Sequence, residues 1–362
     1  MATPVSPFMT LPDDVLQRVL VGVALDDHDA TAAACRAFRD VIRGPRFLRL
    51  RREYGFAERS MILVGQRTGY VHAPKEIFVV GKRGAVTSVP EGMHFELDGL
   101  TTDGGARLFF STWPRDGPNL VLAVDAAARR WSRFATLPLN HTQHCIGWHD
   151  GLLYACGGFS AAGNTHSYLN TFRAFDETTG LWEDLPPMPH ACANAASGVI
   201  GNELFIAGGL GVGNEYLSTL QIYDFTTRMW RLGEPLPQAT RSGCGVVADG
   251  KLYLVESKYS VFQSMMVLDV QSNTWTEQQG PPNQNAHGAL PPPQGYGGGG
   301  YGAPPPHRIM MNAFAHNGRI VTVNMNRTAF QCGSGSDPNW SRFELDVVPG
   351  IIEGVAGSVI LG

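Results

Sequence analysis

The sequence places four residues that can bind transition metals in one short stretch. They form a His-x-x-His pair, a cysteine directly after it and a further histidine: His141, His144, Cys145 and His149. Imidazole and thiolate ligands suit copper or zinc, and a set that converges on one point could support oxidoreductase chemistry. The same residues stand where a β-strand is predicted to begin, which favours a structural or loop role for them.

Other catalytic patterns do not stand out. The sequence shows no Ser-His-Asp motif, no phosphate-binding loop and no paired carboxylates suited to general acid–base work. We therefore expect no catalytic residue, no cofactor and no metal site. The resulting expectation is a binding protein rather than an enzyme.

Length, charge and cysteine usage bound the class of protein. The 362 residues suffice for one large domain and a small one, and the net charge of −4 gives no footprint for nucleic acid or an anionic membrane. Six scattered cysteines without a CxxC pair indicate free thiols in a reducing compartment. Neither a signal peptide nor an apolar run of about 18 residues is recognisable, so we expect a cytoplasmic or nuclear location, or both.

A long-period repeat occupies most of the chain. Tryptophans stand at positions 131, 182, 230 and 275, at intervals of 51, 48 and 45 residues. An aspartate precedes each by six residues, and a proline follows each by seven: Asp125, Asp176, Asp224 and Asp269, then Pro138, Pro189, Pro237 and Pro282. This period is typical of a four-stranded propeller blade and too long for most helical solenoids.

The repeated residue types have structural explanations. Asp-Gly and Asn-Gly pairs supply the positive φ angles of tight hairpin turns, and glycine doublets allow neighbouring blades to approach closely. Each repeated aspartate can accept hydrogen bonds within its own turn, and each tryptophan can cover the gap between blades. We assign this structural role to Asp125, Trp131, Gly157, Gly158, Asp176, Trp182, Gly208, Gly209, Asp224, Trp230, Asp269 and Trp275.

These features resemble the kelch-repeat family. The glycine doublets, the pairs Phe175-Asp176 and Tyr223-Asp224, and the LPPMP segment at 185–189 carry the resemblance. It implies a mainly β fold in which residues 58–362 form a six-bladed kelch β-propeller, with five or seven blades as alternatives. The expected blades span about 59–100, 101–142, 143–190, 191–238, 239–282 and 307–349.

The two ends of the propeller are expected to meet. The first blade begins with SMILVGQ, which aligns with a second strand, so its inner strand must come from elsewhere. The C-terminal segment, about 351–362, resembles a first strand and is the expected donor, which would leave no open sheet edge. Residues 278–307 are rich in proline and glycine and predict a disordered insert, with a proline-rich docking segment as the alternative.

A small helical region precedes the propeller. After a flexible N-terminus at 1–10, residues 11–57 show helical spacing of apolar residues, with an acidic pair, Asp13-Asp14, at the first helix start. We expect a three-helix domain. It is small for an independent core, so its apolar surface predicts a partner.

The helical region resembles an F-box domain. Leu11-Pro12, Asp13-Asp14, Cys35-Arg36, Val41-Ile42 and the Pro45-x-Phe47 triplet match the order and spacing of that family, whereas residues 26–34 are more alanine-rich. The resemblance implies docking to a Skp-type adaptor and, through it, to a cullin–RING ligase core. The expected adaptor-binding residues are Leu11, Pro12, Val15, Leu16, Val19 and Leu20. A helical cap packed on the propeller is the alternative.

An F-box joined to a kelch propeller resembles the substrate receptors of SCF-type E3 ubiquitin ligases, which are common in plants. The resemblance implies a non-catalytic subunit whose propeller binds a target protein for ubiquitination and degradation, so that binding raises the effective concentration of the target. Two alternatives are a kelch scaffold without ligase association and, more remotely, a kelch-propeller copper oxidase.

Loops between second and third strands, and those between blades, should share one face of the propeller. Long loops on a rigid scaffold commonly carry recognition, and exposed tyrosine and arginine make good anchors. The candidate contacts for the target protein are Arg115, His166, Tyr168, Glu215, Tyr216, Arg241, Lys258 and Tyr259.

Overall fold

The computed structural model describes most of the chain between residues 12 and 361. The described ranges are 12–23, 28–42, 44, 46–54, 58–67, 75–80, 85–88, 95–105, 107–114, 118–125, 130–138, 141–160, 167–240, 243–258, 261–280, 312–316, 319–323, 329–333, 339–343 and 351–361. The predicted flexible N-terminus at 1–10 and residues 281–307 of the predicted insert lie outside them.

The described part of the N-terminal head contains four short helices: α1 (Asp13–Leu20), α2 (His28–Ala34), α3 (Arg36–Ile42) and α4 (Phe47–Glu53). The prediction of three helices is therefore wrong. The extra boundary lies at Cys35, whose Sγ accepts a hydrogen bond from the backbone N–H of Phe38 at 3.4 Å. This is the arrangement of a helix N-cap, and it starts a new helix where the sequence suggested continuity.

The head has a hydrophobic core of its own. Leu16 and Leu20 of α1 are buried together with Ile42 and Phe47 from the later helices. Arg51 is also buried, and its Nη1 donates to the carbonyl oxygen of Val21 at 2.7 Å, beside the end of α1. Because this guanidinium meets a helix-end carbonyl, the charge sits where the helix dipole favours it.

Beyond the head, the described chain forms four-stranded antiparallel sheets arranged in a ring. Five of them, blades two to six, are each built from one continuous stretch of chain. Blade two contains β4 (Phe95–Thr102), β5 (Arg107–Pro114), β6 (Leu120–Asp125) and β7 (Arg130–Thr136). Blade three contains β8 (Cys145–His149), β9 (Leu152–Cys156), β12 (Phe172–Asp176) and β13 (Leu181–Asp184), with a hairpin of β10 (Phe159–Ser160) and β11 (Ser167–Tyr168) inserted before β12.

The next three blades repeat this order. Blade four contains β14 (Ala196–Ile200), β15 (Glu203–Ala207), β16 (Leu220–Asp224) and β17 (Met229–Leu232). Blade five contains β18 (Gly243–Ala248), β19 (Lys251–Lys258), β20 (Val261–Asp269) and β21 (Thr274–Gln279). Blade six contains β22 (Asn312–His316), β23 (Arg319–Val323), β24 (Ala329–Gly333) and β25 (Ser341–Phe343). The first strand of each blade contacts the first strand of its neighbours, so first strands line the centre of the ring.

The remaining sheet is composite. It combines β1 (Glu58–Arg67), β2 (Lys75–Val80) and β3 (Ala85–Ser88) with β26 (Ile351–Leu361), which pairs antiparallel with β1. Because β26 contacts both β22 and β4, the two ends of the propeller meet in this sheet. Five blades are thus continuous in sequence, rather than the six that were predicted, and the ring is completed by one sheet shared between the termini.

Two predicted boundaries are wrong. Residues 95–100 were expected in the first blade, but β4 pairs with β5 in blade two. The turn after β4 explains the shift, because Asp103 Oδ1 accepts hydrogen bonds from the N–H groups of Gly105 and Arg107 at 2.8 and 3.1 Å and therefore closes a hairpin that needs a preceding strand. Residues 278–279 were expected in the disordered insert, but they belong to β21.

The repeated aspartates close the turns between third and fourth strands. Oδ1 of Asp176 accepts from the N–H of Thr178 at 2.7 Å, and Oδ1 of Asp224 accepts from the N–H of Thr226 at 2.7 Å. Asp269 makes the corresponding bonds to the N–H groups two and three residues further on. The hydroxyl of Thr178 together with its N–H lowers the pKa of Asp176, and the backbone N–H groups lower the pKa of Asp224. Asp125 stands at the same strand position in blade two.

The repeated tryptophans tie each blade to the preceding one. The indole N–H of Trp182 donates to the backbone carbonyl oxygen of Thr136 at 2.8 Å, and the indole N–H of Trp275 donates to the backbone carbonyl oxygen of Glu234 at 2.9 Å. Trp340 makes the same contact with Gln279 at 2.8 Å. Trp131 lies opposite Val124 in blade two, as Trp182 lies opposite Phe175, Trp230 opposite Tyr223 and Trp275 opposite Leu268 in their own blades. Trp182, Trp275 and Trp340 therefore each join their own blade to the outer edge of the preceding blade by a hydrogen bond.

The glycine doublets occupy left-handed backbone positions that face a neighbouring segment. Gly157 and Gly158 have φ angles of +66° and +112°, and Gly208 and Gly209 have +65° and +98°. A Cβ atom on Gly209 would lie 2.6 Å from the carbonyl oxygen of Ala193. Such an approach excludes any side chain, so these positions need glycine for both conformation and space.

Within the described residues, the longest helix has eight residues, and no helix is both long and apolar enough to cross a membrane. All six cysteines are free thiols.

Candidate protein-binding face

One face of the propeller carries the connections between second and third strands and those between blades; we call it the loop face. In blade three the connection from β9 to β12 contains the β10–β11 hairpin, and in blade four the connection from β15 to β16 contains a short 3-10 helix, Val212–Asn214. These two connections are neighbours on the ring, so they form one continuous surface.

Backbone hydrogen bonds hold this surface in place. Ala193, in the connection between blades three and four, exchanges two hydrogen bonds with Leu210, at 2.9 and 2.8 Å. The N–H of Gly209 donates to the carbonyl oxygen of Thr240 at 3.0 Å, and the N–H of Thr240 donates to Leu217 at 3.0 Å. The blade-four loop is therefore bonded to the connectors on both sides. Because the loop is already ordered, a partner can bind it with little further loss of conformational entropy.

Tyr168 joins the two loops. Its hydroxyl donates to Oδ1 of Asn214 across the boundary between blades three and four, and its ring lies 5.3 Å from that of Phe159 within the hairpin. The predicted contact Tyr168 is half-buried and takes part in the internal structure of the surface. Its role in a contact with a partner would be to support the neighbouring residues.

Glu215 and Tyr216 present the exposed part of the predicted site. Both are exposed, and Tyr216 retains 49% of its accessible surface. Beside them Val212 is 71% exposed, the most exposed large apolar side chain in the described chain. Sequence reasoning missed Val212. The available signal was a single β-branched residue within an otherwise glycine- and asparagine-rich loop, where nothing predicts its burial.

The other predicted contacts divide into two groups. Four of them lie outside the described residues: Arg115, His166, Arg241 and Tyr259. Lys258 is described as the last residue of β19, where it pairs with Val261. Lys258 therefore lies in a strand rather than in a loop, because β19 and β20 extend to within two residues of each other.

The histidines near the start of β8 do not form one site with the third. His141 and His144 are buried, with ring centroids 5.0 Å apart, whereas His149 lies at the other end of β8 and stacks on Phe225 at 4.0 Å. Cys145 Sγ donates to the carbonyl oxygen of Ala195 at 3.3 Å. In the described part of the chain, no three histidine, cysteine or acidic residues are grouped so that they could hold a metal ion.

Burial divides the predicted adaptor-binding residues. Leu16 and Leu20 are only 2% and 3% exposed and belong to the core of the head. The prediction that both leucines face a partner is corrected, because their i, i+4 spacing directs both toward Ile42 and Phe47 in the core of the head. Val15 is half-buried, Pro12 is exposed and Val19 is 49% exposed. Leu11 lies outside the described residues.

An exposed apolar residue at the other end of the head was not predicted. Tyr54, directly after α4, is 48% exposed.

The sheets form a β-propeller, and two of its blades match the motif of kelch proteins. The Kelch motif matches residues 142–189 and 191–237, which correspond to blades three and four. An F-box/kelch-repeat protein of Arabidopsis thaliana is 22% identical over 189 residues, which cover 51% of this chain and 48% of that protein. Kelch-like protein 34 of Homo sapiens is 29% identical over 103 residues, or 26% of this chain and 16% of that protein.

These comparisons support the predicted resemblance to the F-box/kelch-repeat family, at low sequence identity. The chain spans about half the length of the Arabidopsis relative and a smaller share of the human one.

Proposed function

We propose that this protein is the substrate-recognition subunit of an SCF-type E3 ubiquitin ligase. In this proposal the head docks to a Skp-type adaptor and thereby to the cullin–RING core, and the propeller binds a target protein for ubiquitination and degradation. The subunit itself is non-catalytic, because ubiquitin is transferred by other subunits while the propeller holds the target close by. The proposed location is the cytoplasm, the nucleus or both, in keeping with the six free thiols.

The loop face of blades three and four carries the target-binding half of the proposal. It combines a hydrogen-bonded frame with three exposed side chains of different chemistry: an apolar Val212, an acidic Glu215 and an aromatic Tyr216. A rigid surface with an exposed tyrosine is the usual form of an interaction hot spot. The predicted contacts outside the described residues, Arg115, His166, Arg241 and Tyr259, and Lys258 at the end of β19, remain part of the proposed face.

The exposed side of α1 carries the adaptor-binding half. Pro12 and Val19 are exposed while Leu16 and Leu20 form the core behind them. The proposed adaptor contact therefore consists of Leu11, Pro12, Val15 and Val19, and the buried leucines act by holding α1 in position. An amphipathic helix that presents apolar residues on its outer side is suited to a partner groove.

A kelch scaffold without ligase association is the second candidate. The observation that favours it is the burial of Leu16 and Leu20 inside the head, which leaves a smaller apolar surface for an adaptor than the sequence suggested. The copper oxidase alternative gains no support from the described residues, because the histidines near β8 are divided between the two ends of that strand.

Direct titration of purified protein with a Skp-type adaptor tests the proposal. We expect Val19→Asp to weaken adaptor binding at least tenfold, because a carboxylate would be buried against an apolar groove. Val212→Asp is the matched control, since it makes the same change at an exposed valine of the propeller. Wild-type protein that is folded and does not bind the adaptor would favour the scaffold alternative.

A further inference from the structure

A cleft of about 300 Å³ opens between blades three and four on the face opposite the loop face. This second face carries the turns between first and second strands and between third and fourth strands; we call it the turn face. The side chains that matter for the argument are His149, Asp150, Tyr154, Glu183, Tyr223, Phe225 and Arg228, all of which line the cleft.

The inner wall of the cleft is aromatic and firmly packed. His149 stacks on Phe225 with a centroid distance of 4.0 Å and an interplanar angle of 5°. Tyr154 lies 4.8 Å from Phe225, and Tyr223 lies 5.5 Å from it. Both tyrosines are buried. The wall is therefore formed before any ligand arrives.

The charged lining of the cleft is dominated by carboxylates. Among the described lining residues, Asp150 and Glu183 supply two carboxylates and Arg228 supplies one guanidinium, so acidic side chains outnumber basic ones by one. Burial raises the pKa of Tyr154 to about 12, and the neighbouring Tyr223 and the two carboxylates act in the same direction, against Arg228. Burial and the nearby carboxylates thus disfavour the negatively charged, deprotonated form of Tyr154.

The positive charge in the lining is held by exposed contacts. Arg228 Nη2 donates to Glu183 Oε1 at 2.7 Å, and the Arg228 side chain also hydrogen-bonds to Tyr223, but the Arg228 and Glu183 side chains are 56% and 63% exposed. Ion pairs this exposed contribute little to stability. Glu183 can therefore exchange Arg228 for another cation at small cost.

We propose that this cleft receives an arginine side chain of a partner protein. A guanidinium group is flat, stacks on aromatic rings and pairs with a carboxylate through two parallel hydrogen bonds. The cleft offers both an aromatic wall and the Glu183 carboxylate. The volume of the cleft lies at the small end of the size range for ligand pockets. Asn202 and Thr226 at its rim are exposed, so the cleft is open to a ligand from solvent. One side chain that enters from a docked protein fits these dimensions.

This site lies on the opposite face from the loops that we propose for target binding. The propeller would then have two partner-binding faces, and the second would recognise a basic segment.

Peptide titration followed by methyl NMR of Leu152 and Leu185, which line the cleft, tests the proposal. The probe is the tripeptide acetyl-Gly-Arg-Gly-amide, and the matched control contains citrulline, which has the same shape without the charge. We expect saturable shifts with the arginine peptide and at least tenfold weaker binding of the citrulline peptide. Equal binding of the two peptides, or tighter binding of free arginine than of the peptide, would overturn the assignment.

Two substitutions within one ion pair give the sharpest result. Glu183→Gln should weaken binding of the arginine peptide about tenfold, whereas Arg228→Asn should strengthen it severalfold because it removes the competing cation. Asparagine suits position 228, where φ is +56°. Arg231→Gln is the control, since it breaks an ion pair with Glu203 that does not line the cleft. Structural damage would weaken binding in both variants, so a change of the same sign contradicts the proposal.

Discussion

The indole N–H of Trp230 in blade four donates to the carbonyl oxygen of Pro186, beyond the outer strand of blade three, at 2.9 Å. The ring also lies 5.0 Å from Phe172 of blade three and 5.1 Å from Tyr223 of its own blade. One side chain therefore bonds to the neighbouring blade and packs against the cores of both. Because Trp182, Trp275 and Trp340 also donate to a backbone carbonyl at or just beyond the end of the preceding blade's outer strand, blade-to-blade contact is a repeated property of the sequence.

Replacement of Trp230 by a smaller residue should destabilise the propeller. We expect Trp230→Ala to lower the free energy of unfolding by about 3–5 kcal/mol, as for other large aromatic deletions. Trp230→Phe keeps most of the packing but leaves Pro186 without its donor, so its cost should be about 1 kcal/mol. Urea unfolding gives both values. Leu232→Ala, at a 55% exposed residue of the same strand, should change the free energy by less than about 0.5 kcal/mol, and a similar loss in this control would remove the special role of the tryptophan.

The glycine doublet of blade three should tolerate no side chain. Gly157 and Gly180 have nearly the same φ, +66° and +69°, so alanine suffers the same backbone strain of about 1–2 kcal/mol at both. A Cβ on Gly157 would in addition meet the carbonyl oxygen of Cys192 at 2.5 Å, whereas one on Gly180 meets no atom within 4 Å. Gly157→Ala should therefore cost about 1–3 kcal/mol more than Gly180→Ala. Equal midpoints in urea unfolding would show that the close approach is relieved without cost.

The composite sheet makes the C-terminal strand essential for the ring. Deletion of residues 351–361 removes the inner strand that pairs with β1 and contacts β4 and β22. We expect a broad, low-temperature melting transition of the whole propeller, because an open sheet edge and an unpaired inner wall are both exposed. Removal of eleven residues from the Pro/Gly-rich stretch 281–307 is the control and should leave the melting curve unchanged. A cooperative transition at the wild-type temperature after the C-terminal deletion would contradict this account.

Alkaline pH should weaken the interface between blades three and four through Tyr154. Burial raises its pKa from 10.0 to about 12 in the folded protein. The folded state therefore binds more protons than the unfolded state between these values, and stability falls as the pH rises from about 10 to 12. Because solvent partly screens the hydroxyl group, the loss attributable to this residue should be about 1 kcal/mol. Comparison of wild type and Tyr154→Phe by urea unfolding at pH 8, 10 and 11 checks this, with the variant losing less than wild type. A Tyr216→Phe variant at an exposed tyrosine is the control, and parallel curves for wild type and Tyr154→Phe would contradict the prediction.

The sequence was sufficient for features that repeat. Asp176, Asp224 and Asp269 recur at one offset from tryptophan because each closes the same turn through the same backbone donors. Pattern and structure correspond there because the interactions are local or pass between adjacent copies. The pairing of β26 with β1 was also accessible, since one blade lacked a strand and the C-terminus supplied an unpaired one.

Features decided by tertiary packing were less accessible. The apolar stripe of α1 identified Leu16 and Leu20 correctly as one face, but the sequence cannot show whether that face meets a partner or the helices that follow. Tyr168 illustrates the same difficulty on the propeller, because its bond to Asn214 depends on the placement of two loops from different blades. At Cys35 the prediction of the helix boundary failed for a local reason, because a thiol is an uncommon N-cap and does not indicate a helix start.

Co-purification with quantitative mass spectrometry tests the central claim most directly. Full-length wild type, Val19→Asp and Val212→Asp would each be isolated from cells, and the amounts of Skp-type adaptor and cullin measured relative to the bait. The account predicts that wild type and Val212→Asp retain both subunits equally and that Val19→Asp loses both. Absence of adaptor and cullin from folded wild-type protein, or equal retention by Val19→Asp, would contradict a ligase receptor that docks through the exposed side of α1.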